Sequence, residues 1–397
     1  MKLKSTISLV LFIVFFSLTS HSQAPLIDCD CERLEETEEN DAKVIELAEY
    51  IQSSFYELES RGFDEKFDID AFKCHIAEYQ EIDLNDDFTK GFMQGVSNTG
   101  STLSKSIINT IETGAYYNLV NYKYNVEEMT YYFTFRLYSE ATGVNYHDYK
   151  VCTDGETLKF SDIYIYLTAE HFSSTLRRIF LLAQPKDENS RTIDNSVFNM
   201  LEARKFATQG KFEEAYNRLS EIKGPMAKEK FTLLTKASYA SSFNDELYEE
   251  ALKEFSELYP NDPTLYLKQV DYNILKGDFK TARQNVDKLI YETNDDFLNL
   301  LKGNIYVLEG DYINAEKHYK YMTSNYIDLI EGYIGYMVSL NFQNRFEEVL
   351  EVVKHLIAQE YDKDALLEFI EEKEPDGSNA LEGFVNSEVY KNWKRNS

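Results

Sequence analysis

The residues best placed to do chemistry lie between Val144 and Leu167. Asp154-Gly155 is the strongest two-residue hairpin signal in the chain, and a type I′ turn there pairs residues whose numbers sum to about 309. On that register Val151 faces Leu158, Tyr149 faces Phe160 and His147 faces Asp162, all on one side of a sheet. An even-length loop before this hairpin brings Arg136 to the same face. A histidine oriented by a carboxylate, beside a guanidinium and near Tyr164, could serve as a general base in a sheet cavity. Arg136, His147 and Asp162 are therefore the candidate pocket. The preferred reading is plainer, a half-buried histidine satisfied by a carboxylate, because spacing supplies no nucleophile and no second acid. Neighbouring His147 and Asp148 do not cooperate, since successive strand residues point to opposite faces.

Other chemistry is scarce. No GxGxxG, P-loop, HExxH, GxSxG or EF-hand pattern occurs, so no cofactor is expected and no enzyme class is favoured. Asp83-Leu-Asn-Asp-Asp has calcium-loop composition without the glycine or the terminal glutamate. Four cysteines, Cys29, Cys31, Cys74 and Cys152, permit two disulfides. Cys29 and Cys31 are too close to bond each other, and they are expected to tie an N-terminal arm to Cys74 and Cys152. With no CxxC and only His75 beside Cys74, a metal site is not expected. The formal net charge of −28 argues against nucleic acid and anionic membranes. Lys2 and Lys4 precede the apolar run Ile7 to Leu18, which is too short to span a bilayer, so residues 1–22 read as a signal peptide. Cys29 follows Asp28 and lies too far from that run for a lipoprotein site. The expectation is an exported protein, periplasmic or secreted, without a membrane span.

The elements that must position these residues fall into blocks. Residues 23–63 are an acidic arm and a helix, whose stripe is Val44, Leu47, Ile51, Phe55 and Leu58. Residues 64–183 form an α+β domain, with helices first and then four strands at Tyr116 to Tyr122, Met129 to Tyr138, Val144 to Cys152 and Thr157 to Leu167. A helix over Phe172 to Leu182 follows, with Ser173 or Ser174 as its cap. This order resembles the NTF2-like or cystatin-like folds, in which a curved sheet wraps a helix. Residues 184–195 read as a linker.

Residues 196–358 repeat themselves about every 34 residues. Ala215, Ala251, Ala282, Ala315 and Val349 mark the small or apolar anchor of each repeat, and Gly210, Gly277 and Gly310 precede three of them by five residues. Glu246 stands at that place in repeat two. Glycine suits the left-handed turn that ends one helix, and a small anchor lets the second helix approach the first. Over 197–356 the pattern resembles the tetratricopeptide repeat (TPR) family, which implies stacked helical hairpins. Residues 359–397 then read as capping helices. The expected fold is multidomain: an N-terminal α+β domain with an antiparallel four-stranded sheet, followed by an all-α TPR-like solenoid.

The resemblance also implies a concave groove lined by the first helix of each hairpin. Carried onto this sequence, the groove residues include Arg204, Lys236, Phe243, Leu267, Asp271, Leu300, Asn304 and Asn341. Chaperone-binding members clamp a peptide carboxylate there. Lys236 and Asn304 match that clamp but its other members are missing, so that ligand is not expected. The lining is mostly apolar and suits a segment of another protein, or the chain's own sheet domain. The function expected is a non-catalytic scaffold or adaptor in the cell envelope. The alternative is small-molecule binding, or hydrolase or isomerase chemistry, around His147 and Asp162.

Overall fold

The computed structural model describes residues 31, 33–77, 86–139, 143–183, 195–260, 262–373 and 377–396. The expected signal peptide, Cys29, Asp83 and residues 184–194 of the expected linker lie outside them. Five helices lead: α1 (Glu38–Tyr56), α2 (Arg61–Lys66), α3 (Ile69–Ala77), α4 (Asp87–Val96) and α5 (Thr99–Glu112). Helix α1 starts ahead of the apolar stripe because Thr37 caps it, accepting the N–H of Asn40, and Glu38, Glu39 and Asp41 suit the positive end of its dipole.

An antiparallel meander follows: β1 (Tyr116–Asn125), β2 (Thr130–Ser139), β3 (Gly143–Thr153), β4 (Leu158–Ile165) and the two-residue β5 (Glu170–His171). The sheet has five strands where four were expected, because Glu170 and His171 pair with Ile165 and Tyr164 before α6 (Phe172–Ala183) begins. One face is a continuous aromatic core. Tyr117, Tyr131, Phe133, Phe135, Tyr149 and Phe160 pack there against Phe55 of α1, Phe63 of α2 and Phe72 of α3. A disulfide joins Cys31 to Cys152 of β3, which fixes the arm before α1 to the sheet. Cys74 is also disulfide-bonded.

The second half is five helical hairpins in tandem: α7 (Asn195–Ala207) with α8 (Phe212–Ser220), α9 (Lys230–Ala240) with α10 (Asp245–Leu258), α11 (Pro263–Leu275) with α12 (Phe279–Thr293), α13 (Asn299–Glu309) with α14 (Tyr312–Asn325), and α15 (Ile330–Phe342) with α16 (Phe346–Ala358). Ala215, Ala282, Ala315 and Val349 are wholly buried in the second helices and Ala251 nearly so, as close helix packing requires. Gly210, Gly277 and Gly310 have φ of +74°, +71° and +81°. Asn344, at φ +59°, takes the same place in the fifth hairpin, a conformation asparagine tolerates. Repeat two departs from the expectation. Its turn is Ser241 to Asn244 and not at Glu246, because Asn244 caps α10 one turn early by accepting the N–H of Leu247. Glu246 then lies in the first helical turn, where acids are favoured.

Helices α17 (Lys363–Glu371), α18 (Glu382–Asn386) and α19 (Glu388–Asn396) close the stack, burying Leu366, Ile370, Phe384 and Tyr390 against Val353 and Leu356 of α16. Among the described residues no helix is long and apolar enough to cross a membrane.

Between repeats four and five the ring of Tyr319 fills the space left by two glycines. A Cβ on Gly303 would stand 2.9 Å from that ring, and one on Gly335 would collide with it. In an open helix Gly→Ala gains about 1 kcal/mol. Gly335→Ala is expected to lose about 1–3 kcal/mol instead, through overpacking. Urea denaturation checks the sign, and a gain would remove this account of the Gly335 packing.

Candidate functional site

The expected triad does not assemble. The β3–β4 turn is wider than the two-residue type, because Asp154 accepts the N–H groups of Glu156 and Thr157 and closes a four-residue loop. Thr153 therefore pairs with Leu158 and Val151 with Phe160. A bulge then places Lys150 opposite Asp162, and Ser161 is the extra residue. The bulge inverts the face. His147 pairs with Ile165 and Phe135 on the aromatic side, whereas Asp162, Tyr164 and Arg136 lie on the other side.

Each member is satisfied separately. Asn145 accepts the N–H groups of Tyr146 and Leu167 on its oxygen, so its amide nitrogen faces His147 and donates to Nε2 at 3.0 Å. Nδ1 then carries the proton and donates to Tyr117 Oη at 2.9 Å, and Tyr117 donates to Tyr149. Burial lowers the His147 pKa to about 4 against a weaker upward pull from Asp148. A buried imidazole with both nitrogens engaged is a structural group. Asp162 accepts the N–H and O–H of Ser173, so it is the partner of the helix α6 start and neither Ser173 nor Ser174 acts as the cap by itself.

The second face of the sheet packs on the hairpins. Arg136 donates to Asp295 at 2.6 Å, and Tyr146 donates to the other oxygen of Asp295 at 2.7 Å. Both charged residues are at least 95% buried, and the guanidinium lies 3.7 Å from the centre of the Phe297 ring. Next to them, Tyr164 donates to Asp262 at 3.0 Å and Lys230 pairs with the same carboxylate. Arg178 of α6 reaches Glu229 at 3.6 Å. Glu229, Asp262 and Asp295 recur every 33 residues, each just before the first helix of a hairpin. Asp262 and Asp295 also accept backbone N–H groups there, from Thr264 and Phe297. At Asp262 and Asp295 one repeat position thus serves as a cap and holds the sheet, while Glu229 meets α6 and makes no side-chain cap bond. The 33-residue spacing is visible in the sequence, but an acid before a helix is also an ordinary cap, so it does not by itself mark a sheet contact.

The docked sheet completes a cavity. Leu267 and Asp271 of α11 and Leu300 and Asn304 of α13 line a pocket of about 260 Å³, closed on the far side by Tyr138, Val144 and Tyr166 of the sheet. Four of the expected groove residues meet here. The sheet residues were not expected, since nothing local marks a strand as a pocket wall. Asn304 accepts from Tyr319 Oη at 2.7 Å, so its amide nitrogen is turned to the pocket mouth. Asp271 is exposed at that mouth, yet crowding in the concave wall raises its carboxyl pKa. One turn further along the same helices, Leu275 and Leu308 are 63% and 59% exposed, and Phe342 of α15 continues the row at 48%. The other expected groove residues are elsewhere. Arg204 is exposed on α7, Lys236 pairs with Glu254 at 3.2 Å, and Phe243 packs edge-on against Tyr216. Asn341 is buried in the C-terminal cap, donating to Ala380 and accepting the N–H of Phe384.

No family model and no curated protein matches the sequence. Two solved structures are similar to it in part. MamA protein is 17% identical with a TM-score of 0.37, over 43% of this chain and 93% of that one. A tetratricopeptide repeat protein from Parabacteroides merdae is 14% identical with a TM-score of 0.36, over 50% of this chain and 73% of that one.

Two stability measurements follow from these contacts. Asp295→Ala strands a buried guanidinium and is expected to cost about 3–5 kcal/mol, with a double Arg136→Met, Asp295→Leu variant recovering part of that in denaturant titrations. His147 has its folded pKa below the ordinary 6.5. Its contribution is full above that value and is lost as pH falls toward about 4, because the unfolded chain binds the proton first. His147→Gln is expected to flatten the stability profile between those two pH values, and an unchanged acid limb would show that His147 does not carry it.

Proposed function

We propose that this chain is an exported, non-catalytic interaction protein of the cell envelope. Its solenoid holds a segment of another protein along the part of the concave face that its own sheet leaves open. The observation that carries this reading is the exposed row Leu275, Leu308 and Phe342 beside the pocket of Leu267, Asp271, Leu300 and Asn304. Exposed apolar side chains at one repeat position cost free energy in water, and cover by a partner relieves that cost. The sheet domain, with its helix-then-meander order like that of NTF2-like or cystatin-like folds, then serves as a wall of the binding site.

Export is supported by the Lys2–Leu18 segment and by the Cys31–Cys152 disulfide, a bond that persists in oxidising compartments. The absence of a catalytic role is supported by the separation of His147 from Asp162 and by the hydrogen bonds that saturate both.

Site-specific photocrosslinking in the producing cells tests the reading. A photoreactive side chain at Leu308 is expected to capture a discrete partner. The same group at Tyr291, which is 85% exposed on the second helix of repeat three, is not. Equal capture at both positions, or none at Leu308, would remove the groove as the binding surface.

A further inference from the structure

The charge balance at the pocket mouth says what chemistry the partner brings, an inference that rests on the groove reading above. The charged side chains around the concave face are mostly neutralised within the chain. Lys276 pairs with Glu249, Arg283 with Glu309, and Lys236 with Glu254. Asp271 is different. It stands exposed at the mouth and makes no ion pair within 4 Å among the described residues; Lys268, one turn earlier on α11 and on the same pocket wall, acts on it only from longer range. Asp271 lines the pocket together with Leu267 and Leu300 and lies one turn before the exposed Leu275. Beside it the Asn304 amide nitrogen is a donor with no partner among the described residues, its oxygen being taken by Tyr319. The long-range field has the same sign as Asp271, since the chain carries a formal charge of −28.

We infer that the groove takes a basic, apolar segment of a partner protein. A bulky apolar side chain enters the pocket between Leu267, Leu300 and Tyr166, and a lysine or arginine next to it pairs with Asp271. The Asn304 amide donates to a main-chain carbonyl between those two residues. The pocket volume of about 260 Å³ suits one large side chain rather than a whole small-molecule ligand, for which about 300–1,000 Å³ is usual. A second copy of this chain is disfavoured as the occupant, because two surfaces of the same strong negative charge repel.

The test is selection of random twelve-residue peptides displayed on phage, with the intact protein as bait at low ionic strength. The expected winners carry Lys or Arg within two residues of Phe, Tyr, Leu or Met. Asp271→Asn is expected to weaken a selected peptide about tenfold, or 1.4 kcal/mol, with the difference shrinking as salt screens the pair. Asp271→Lys is expected to exchange the basic preference for Asp or Glu. Circular dichroism and thermal melting check that both variants are folded, as this exposed position allows. Winners without a basic residue, winners that are acidic, or equal binding to Asp271→Asn would overturn the charge assignment and leave the groove reading standing. An absence of winners, or winners whose binding survives Leu308→Glu, would overturn the groove reading itself.

Discussion

The architecture depends on one buried ion pair between two distant parts of the chain. Arg136 belongs to a strand and Asp295 to a loop between helical repeats, 159 residues later, and both are almost wholly buried. A guanidinium buried alone is intolerable, and so is a carboxylate. The two halves therefore satisfy each other in one relative position, and the Phe297 ring above and the Tyr146 hydroxyl beside the pair narrow that position further. Forming such a pair adds little net stability compared with apolar packing, but every misdocked arrangement leaves a charge stranded. The pocket between sheet and hairpins inherits its shape from this constraint.

The tyrosines illustrate how an acid-rich chain manages burial. Aspartate and glutamate number 69 against 41 lysines and arginines, so many carboxylates have no cation to meet. Tyrosine, with 30 copies, supplies further donors, at carboxylates with and without a cation beside them. Tyr131 donates to Asp41, Tyr132 to Glu128, Tyr164 to Asp262, and Tyr390 to Glu371. Each hydroxyl satisfies a carboxylate while its ring buries apolar area, which a lysine does less well. The high tyrosine content and the negative charge are thus parts of one solution.

The repeats were legible because their signals are local. A left-handed glycine and a small anchor five residues later report a hairpin whatever lies beyond it, and only Asn244, by capping α10 early, shifted a boundary. The strand positions were legible for the same reason, through β-branched and aromatic runs. The register of β3 and β4 was not. It turned on Asp154 closing a wider loop and on one extra residue at Ser161, and a single inserted residue sends every later side chain to the opposite face. The pocket was half legible. Leu267, Asp271, Leu300 and Asn304 followed from the repeat, while Tyr138, Val144 and Tyr166 enter through docking, which no local pattern encodes.

The bond between Cys31 and Cys152 has a mechanical consequence. Tension that reaches Cys31 passes through the sulfur bridge into β3 and bypasses the chain between the two cysteines, which stand 121 positions apart. Helices α1 to α5 and strands β1 and β2 lie inside that closed loop, so this bridge sends no load along their backbone and reaches β2 only sideways, from β3. The force enters the sheet at its central strand, whose neighbours on both sides are hydrogen-bonded to it. A pull that reaches Cys31 while the groove is held would pass into β3, through its ladder of hydrogen bonds to β2, and across the Arg136–Asp295 contact to the hairpins.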